Sequence, residues 1–320
     1  MYRVGVTAMP DRSSEAVAGI DIGGTKIDVA VASLDGNVLG RRRIETRAAA
    51  GPTQAFQRIA EALRDIRDRE ARNRSITTVG GVSPGIVRSN QILLSPNLPG
   101  WERVGLASSL AEATGIDEVA VTNDVRAGAL AEARFGALKD CRCGMYVSLG
   151  TGIAAALVIA GQVIDGAHQA AGEIAYSRPV GTLGAARDGG VAGHAQLEEV
   201  ISGRALADRA EVVLGERVDA ATLFGRSDPV AAHLVHQGLA ALGTALANLA
   251  VFIDPEIVVI GGGMSASADV LVPILAAYLR DFAPFAPDVV VGRYDDDASL
   301  HGAIALAVDA ADTVVRGERV

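Results

Sequence analysis

Apolar and polar positions along the chain alternate between two periods. Val17–Asp21 is a short apolar run ending in an acid; Gly23-Gly24-Thr25 breaks it, and Ile27–Ala32 resumes with weak alternation. Asp35-Gly36-Asn37 is a turn signal before Val38–Thr46, so the opening predicts three strands in an antiparallel meander. Over Thr53–Arg72 the apolar residues Phe56, Ile59, Ala60, Leu63 and Ile66 have the spacing of an amphipathic helix, whose other face carries the charges. Ile76–Val82 predicts a strand stopped by Ser83-Pro84-Gly85. Trp101–Thr114 predicts a helix closing on Gly115, Glu118–Val121 a strand, and Asp124–Phe135 an Ala-rich helix ending at Gly136.

The pattern then restarts. Gly144–Leu149 is an apolar strand, Gly150-Thr151-Gly152 a tight turn, Ile153–Ala160 a second strand and Gly161-Gln162 a hairpin turn. One opening, a strand, a Gly/Thr turn and a strand, is thus used twice, as expected of an internal duplication. A long helix over Val230–Ile253, a buried strand at Ile257–Ile260, the turn Gly261-Gly262-Gly263 and helices over Ala268–Phe282 and Ala303–Thr313 complete the prediction. The expected organisation is a loose tail over 1–16, an α/β domain over 17–136 joined by a C-terminal helix at 303–316, and a larger α/β domain over 137–302.

Composition narrows the classes. At 320 residues and 49% hydrophobic, the chain can bury two cores. Its net charge of −9 argues against nucleic acid or an anionic membrane as partner. No uninterrupted apolar run reaches the length of a bilayer span, and no apolar leader opens the chain, so a cytoplasmic protein is expected. Two cysteines, Cys141 and Cys143, are expected to be buried thiols at a strand start, because they supply neither a disulfide framework nor four zinc ligands. The long helix at 230–253 offers a surface for a homo-oligomer, expected as a dimer, although it reads more strongly as plain core.

Three Gly-rich turns follow apolar strands: Asp21-Ile22-Gly23-Gly24-Thr25-Lys26, Gly150-Thr151-Gly152 and Gly261-Gly262-Gly263. Glycine lets backbone N–H groups approach a polyanion, so three such turns together point to a nucleotide held between two similar domains. Asp21 places a carboxylate beside the first turn, where it could orient Mg²⁺ directly or through water. Lys26 either complements phosphate charge or faces solvent. Gly261-x-Gly263-x-x-Ala266 also has dinucleotide-fingerprint spacing, which keeps a Rossmann oxidoreductase open, whereas no P-loop motif occurs. Polar residues that a packed core would not choose complete the pattern: Asn97 in a Pro-bounded loop, Asn123-Asp124 at a helix start, and Glu173 and Glu198 around a Gly-rich loop. Asp124 reads both as a helix N-cap and as a general base for a hydroxyl attacking a γ-phosphate.

The stretch Gly19-Ile20-Asp21-Ile22-Gly23-Gly24-Thr25-Lys26 resembles the phosphate-binding opening of the ROK family, which groups sugar kinases and sugar-responsive repressors. Pro96–Trp101, Asn123–Ala129, Gly150–Ile153, Ala171-Gly172-Glu173, Leu197-Glu198 with Ser202-Gly203, Ile260–Gly263 and Gly302-Ala303 follow in the family's order. The resemblance covers about residues 17–312. It implies a two-domain actin-like ATPase (ribonuclease H-like) α/β fold with a central cleft, closing over ATP-Mg and a sugar. By it, Asp124 matches the catalytic base; Asn97, Asn123, Glu173 and Glu198 match the sugar ligands. Gly23, Gly24, Thr25, Gly150, Thr151 and Gly152 match the triphosphate loops, and Gly261 and Gly262 the adenosine side.

Two departures stand out. The phosphate motif begins at Asp21, too early for the helix-turn-helix that precedes it in ROK repressors, so a kinase is expected. Many members also carry a structural zinc on one His and three Cys; here Tyr176, Gly189, Val191 and Gln196 occupy those positions, so no zinc is expected. Tyr176 also replaces a sugar-contacting His. The expected substrate is therefore a glucose-like hexose, with an amino sugar or a sugar-like cyclitol as the alternative and a non-catalytic sugar sensor as the reading from another class. Without zinc, the loop 181–193 is expected to be mobile.

Overall fold

The computed structural model describes residues 12–178 and 196–316. The chain divides into two compact units. One runs to Gly81 and takes in Ser89–Val121 and the chain from Ala303 onward; the other comprises Val82–Arg88 and Thr122–Gly302.

In the first unit, β1 (Glu15–Ile22), β2 (Lys26–Ala32) and β3 (Val38–Glu45) form the expected meander, with Val17 opposite Ala32 and Ile22 opposite Ile27. β1 starts at Glu15, so the last two residues of the expected tail belong to the sheet; the remainder of that tail, up to residue 11, lies outside the described residues. After α1 (Pro52–Arg69) come β4 (Ser75–Ser83) and the short strands β5 (Ile86–Arg88) and β6 (Gln91–Leu93). Then follow α2 (Leu106–Thr114) and β7 (Val119–Asn123). The five-stranded sheet has the order β3-β2-β1-β4-β7. Helix α1 buries Phe56, Ile59, Leu63 and Ile66, the stripe that its period predicts.

Two helix starts differ from expectation. α2 begins five residues later than Trp101, because Trp101–Val104 forms a turn in which the Val104 N–H reaches the Trp101 carbonyl, while the Trp101 ring is buried at 5.3 Å from Phe56. The last helix, α9 (Ala298–Arg316), begins five residues before Ala303. Gly302 sits inside it because a Cβ there would lie 2.0 Å from the Ala127 carbonyl oxygen. Tight packing, not helix termination, explains that glycine.

The second unit repeats the plan. After α3 (Asp124–Phe135) come β8 (Cys143–Leu149), β9 (Ile153–Ile159) and β10 (Gln162–Val163). β11 (Ile257–Gly261) and β12 (Asp288–Val291) complete a sheet of order β10-β9-β8-β11-β12. The first three strands are antiparallel and the last two run parallel to β8. Between β10 and β11 lie α4 (Leu197–Ile201), α5 (Gly203–Leu214), α6 (Ala220–Phe224) and α7 (Pro229–Ile253), and α8 (Ala268–Phe282) precedes β12. Strand β8 alternates: Met145, Val147 and Leu149 face the core under α7 and α8, and Tyr146 faces the one containing Ala129 and Ala133 of α3.

Helix α7 corrects the search for apolar spans. Its best window has a mean hydropathy of 1.4 although polar residues interrupt every run, and 56% of that window is buried in the protein, as befits a core helix. The thiols of Cys141 and Cys143 are free and half-buried rather than fully buried, since Cys141 lies in the turn before β8.

Candidate active site

The expected site residues fall into two sets, one in each unit. In the first, the turn between β1 and β2 presents Gly23, Gly24 and Thr25. It is closed by the Gly23 N–H on the Lys26 carbonyl at 2.9 Å and by the Thr46 N–H on the Thr25 carbonyl at 2.9 Å. The Thr46 hydroxyl adds a 2.6 Å hydrogen bond to the Gly23 carbonyl, so the turn is braced from β3's end. Gly24 lies directly against the Pro-bounded loop: a Cβ there would come within 2.8 Å of the Asn97 Cβ and 3.0 Å of its carbonyl oxygen. The turn and Asn97 are thus brought together by a contact that only glycine allows. Lys26 is exposed at the start of β2.

In the second unit the acceptor residues converge. Asn123, nearly fully buried, is the N-cap of α3 and accepts from the Arg126 N–H at 2.8 Å. The cap therefore falls one residue earlier than Asp124, which becomes the first residue of the helix, and half of Asn123's side-chain amide is already used. Asp124 Oδ1 accepts from the Val125 N–H at 2.9 Å. Burial pushes its carboxyl up to about 6, and the charge of Glu173 adds to the rise against the lowering effect of the Val125 N–H. Glu173 is itself raised, by burial first and by Glu198, with Arg126 pulling the other way. Tyr176 is held above its ordinary value by burial and by the charges of Glu173 and Glu198, and half of its side chain is exposed.

Glu198 links these residues to the second Gly turn. Its Oε2 accepts from the Ile153 N–H at 3.3 Å and lies 2.7 Å from where a Cβ on Gly152 would sit. Arg204 approaches its other oxygen at 3.7 Å. The Gly203 N–H donates to the Gly150 carbonyl at 2.8 Å, fixing the turn Gly150-Thr151-Gly152 on the start of α5. Gly262, at φ +81°, packs on β8 so closely that a Cβ would be 2.6 Å from the Leu149 carbonyl oxygen. The dinucleotide spacing of Gly261–Ala266 is thus accounted for by strand-to-turn packing, and a short 3-10 turn at Gly263–Ser267 precedes α8.

Sequence reasoning gave no role to Arg126, Asp165 or Arg204. Arg126 stood inside the quoted segment Asn123–Ala129, yet an arginine at a helix start ordinarily signals a solvated charge. Among the described residues no three of His, Cys, Asp and Glu converge as a metal site. Gly189, Val191 and the whole of the loop 181–193, expected to be mobile, lie outside the described residues.

Two α/β units of one strand order, each opened by a strand, a Gly turn and a strand, define the actin-like ATPase fold. The ROK family model matches residues 17–310, and the chain belongs to the ROK family. It is 31% identical to an N-acetylmannosamine kinase of Shigella flexneri, over 91% of this chain and 98% of the relative. Among solved structures, the ROK hexokinase of Thermus thermophilus is similar with a TM-score of 0.78 and 31% identity, covering 93% of this chain and 99% of its own. A ROK family glucokinase from Streptomyces griseus, solved with glucose and AMPPNP, has a TM-score of 0.72 and 25% identity, over 92% of this chain and 99% of its own.

Proposed function

We propose that this ROK-family chain is an ATP-dependent sugar kinase that transfers the γ-phosphoryl group of ATP to a primary hydroxyl of a hexose, with Asp124 as general base. The observation that carries the reading is Asp124: a carboxylate at the first position of a helix, free of the capping duty and poised by burial near pH 6. As the hydroxyl oxygen forms its bond to the γ-phosphorus and the bond to ADP breaks, the hydroxyl proton passes to Asp124. Asn97, Asn123, Glu173 and Glu198 hold the sugar hydroxyls; carboxylates accept from such hydroxyls and fix the ring's orientation. The turns Gly23–Thr25 and Gly150–Gly152 cradle the triphosphate, with Lys26 at the entrance of the first, and Gly261 and Gly262 line the adenosine side. Gly24 fits that task because its missing Cβ leaves the backbone open as well as admitting Asn97. Asp21, at the end of β1, fits a cation beside those phosphates, and Mg²⁺ bound there, directly or through water, would offset the charge that develops on the transferred group.

Glucose-like hexoses are the first substrate class, supported by the hexokinase and glucokinase relatives. An N-acylated amino sugar is the second, supported by the N-acetylmannosamine kinase relatives and by Tyr176, whose half-exposed ring stands beside Glu173 and Glu198. The test is ADP release from Mg-ATP over glucose, mannose, fructose, allose, glucosamine, N-acetylmannosamine and several cyclitols, with Asp124→Asn as control. One favoured sugar whose turnover disappears in the control supports the reading. Silence across the panel, with sugar still bound, points instead to a sensor.

A further inference from the structure

Arg126 is the most deeply buried cation near the acceptor residues, with 4% of its side chain exposed. It sits two residues after Asp124 on α3. Its Nη2 donates to the carbonyls of Asp165 at 3.3 Å and Ala171 at 3.4 Å. Its Nε lies 3.5 Å from the Asp165 carboxylate, close enough for an ion pair but without an aligned hydrogen bond. The Ala171 N–H also donates to the Asp165 carbonyl, at 3.1 Å, so one guanidinium closes the neck of the segment 165–171. Directly after that neck, Gly172 at φ +88° pins the chain to β9, its carbonyl accepting from the Ala155 N–H at 2.8 Å. The next residue is Glu173.

Burying an arginine carries a desolvation penalty, and a neutral donor could satisfy the same two carbonyls. The charge itself needs a reason. Facing Glu173 are Glu198 from α4, Asp124 and Arg126 from α3, and Tyr176 from the 3-10 turn that follows it; among the described residues Arg126 is the cation that acts on it directly, while Arg204 reaches Glu198. Three carboxylates gathered to read hydroxyls would repel one another, and a sugar brings no positive charge to relieve them.

Building on the sugar-kinase reading, we propose that Arg126 is a positioning residue for the sugar: its fork holds the Asp165 and Ala171 carbonyls and so fixes the loop that delivers Glu173, and its charge offsets that of the Glu173 carboxylate. The device is specific to the acceptor. It acts on the loop that carries Glu173, so it should govern sugar binding and leave ATP binding alone.

The test compares the wild type with Arg126→Gln and Arg126→Lys, using glucose or N-acetylmannosamine, whichever the wild type phosphorylates faster. Arg126→Gln should raise the sugar KM about tenfold or more, with the ATP KM within about twofold and kcat within about threefold. Because the arginine holds the Glu173 carboxyl down, its loss should also move the acid limb of kcat/KM for the sugar to higher pH. Arg126→Lys, which keeps charge but loses the fork, should return that limb to the wild-type position while the sugar KM stays raised. If Arg126→Gln does not fold, the lysine chain alone decides through the same pairing of raised KM and unmoved limb. An unchanged sugar KM, equal rises in both KM values, or a lowered melting temperature with an unmoved pH limb would overturn the proposal. A wild type that phosphorylates no sugar fails before any substitution is made, and that result counts against the kinase reading itself.

Discussion

Asp124 shows how one side chain can be prepared by its neighbours. Asn123 takes the cap, the Val125 N–H holds one carboxylate oxygen, and burial with the charge of Glu173 raises the carboxyl to about 6. A base works when ionised, so kcat/KM for the sugar should be level above about pH 7 and fall towards acid with an apparent midpoint near 6; a profile flat down to pH 4.5 would remove Asp124 from the role. The same shift carries a stability cost. The folded-state value lies above the unfolded one, so the ionised form is penalised in the folded state. That penalty is absent below about pH 4, grows between about pH 4 and 6, and is complete above that range. Two pH units would correspond to about 3 kcal/mol at most, and less here because the carboxylate keeps some contact with solvent. Asp124→Asn should therefore abolish turnover and yet melt a few degrees higher than the wild type at pH 8, with no difference at pH 4. Equal melting curves at both pH values would contradict the burial argument.

At the scale of elements, periodicity made the regular pieces readable. The limits of α3 and α8 match their sequence signals residue for residue, because Asn123 and Gly136 punctuate one and an unbroken apolar stripe defines the other. Long-range packing was not readable. Gly302 looked like a boundary before a helix but lies inside α9, where it admits the Ala127 carbonyl, and Trp101 looked like a helix start because nothing nearby in sequence announces Phe56. Helices α4, α5 and α6 were missed as well; α4 and α6, with five residues each, hold too few turns for a period to show. The same limit applies to the site. Glycine, Asp and Asn signals placed the turns and the candidate base, whereas the tie from Arg126 to residues 165 and 171 depends on tertiary contact alone. Gly172 makes the point testable. Its φ is +88° and a Cβ would fall 1.9 Å from the Ala155 carbonyl oxygen, so Gly172→Ala should lose about 3 kcal/mol or more of stability. Since Glu173 follows at once, whatever protein folds should show a raised sugar KM. A variant as stable and as active as the wild type would mean that this loop is not held against β9.

At the scale of the whole chain, Tyr176, Gly189, Val191 and Gln196 stand where the family resemblance implies zinc ligands in many members. We propose that the chain binds no structural zinc, and the cysteines argue for it on chemical grounds. Structural zinc takes four Cys or His ligands, whereas Cys141 and Cys143 are the chain's two cysteines and stand with one residue between them. Both stand at the start of β8, where Cys143 Sγ is directed at the Ile253 carbonyl at 3.7 Å. What fastens the neighbourhood of Tyr176 and Gln196 instead is backbone pairing: the Leu197 N–H donates to the Ser177 carbonyl at 2.8 Å. Gln196 and Glu199 add a capping box at the start of α4. Hydrogen bonds of this kind need no ion, so chelation should leave them intact. Purified protein should contain well under one zinc per chain by elemental analysis. Prolonged EDTA followed by return to Mg²⁺ should restore full turnover and an unchanged melting temperature. Stoichiometric zinc, or a melting temperature that drops on chelation and recovers only when zinc is added, would show that ligands other than the family's four have taken over the site.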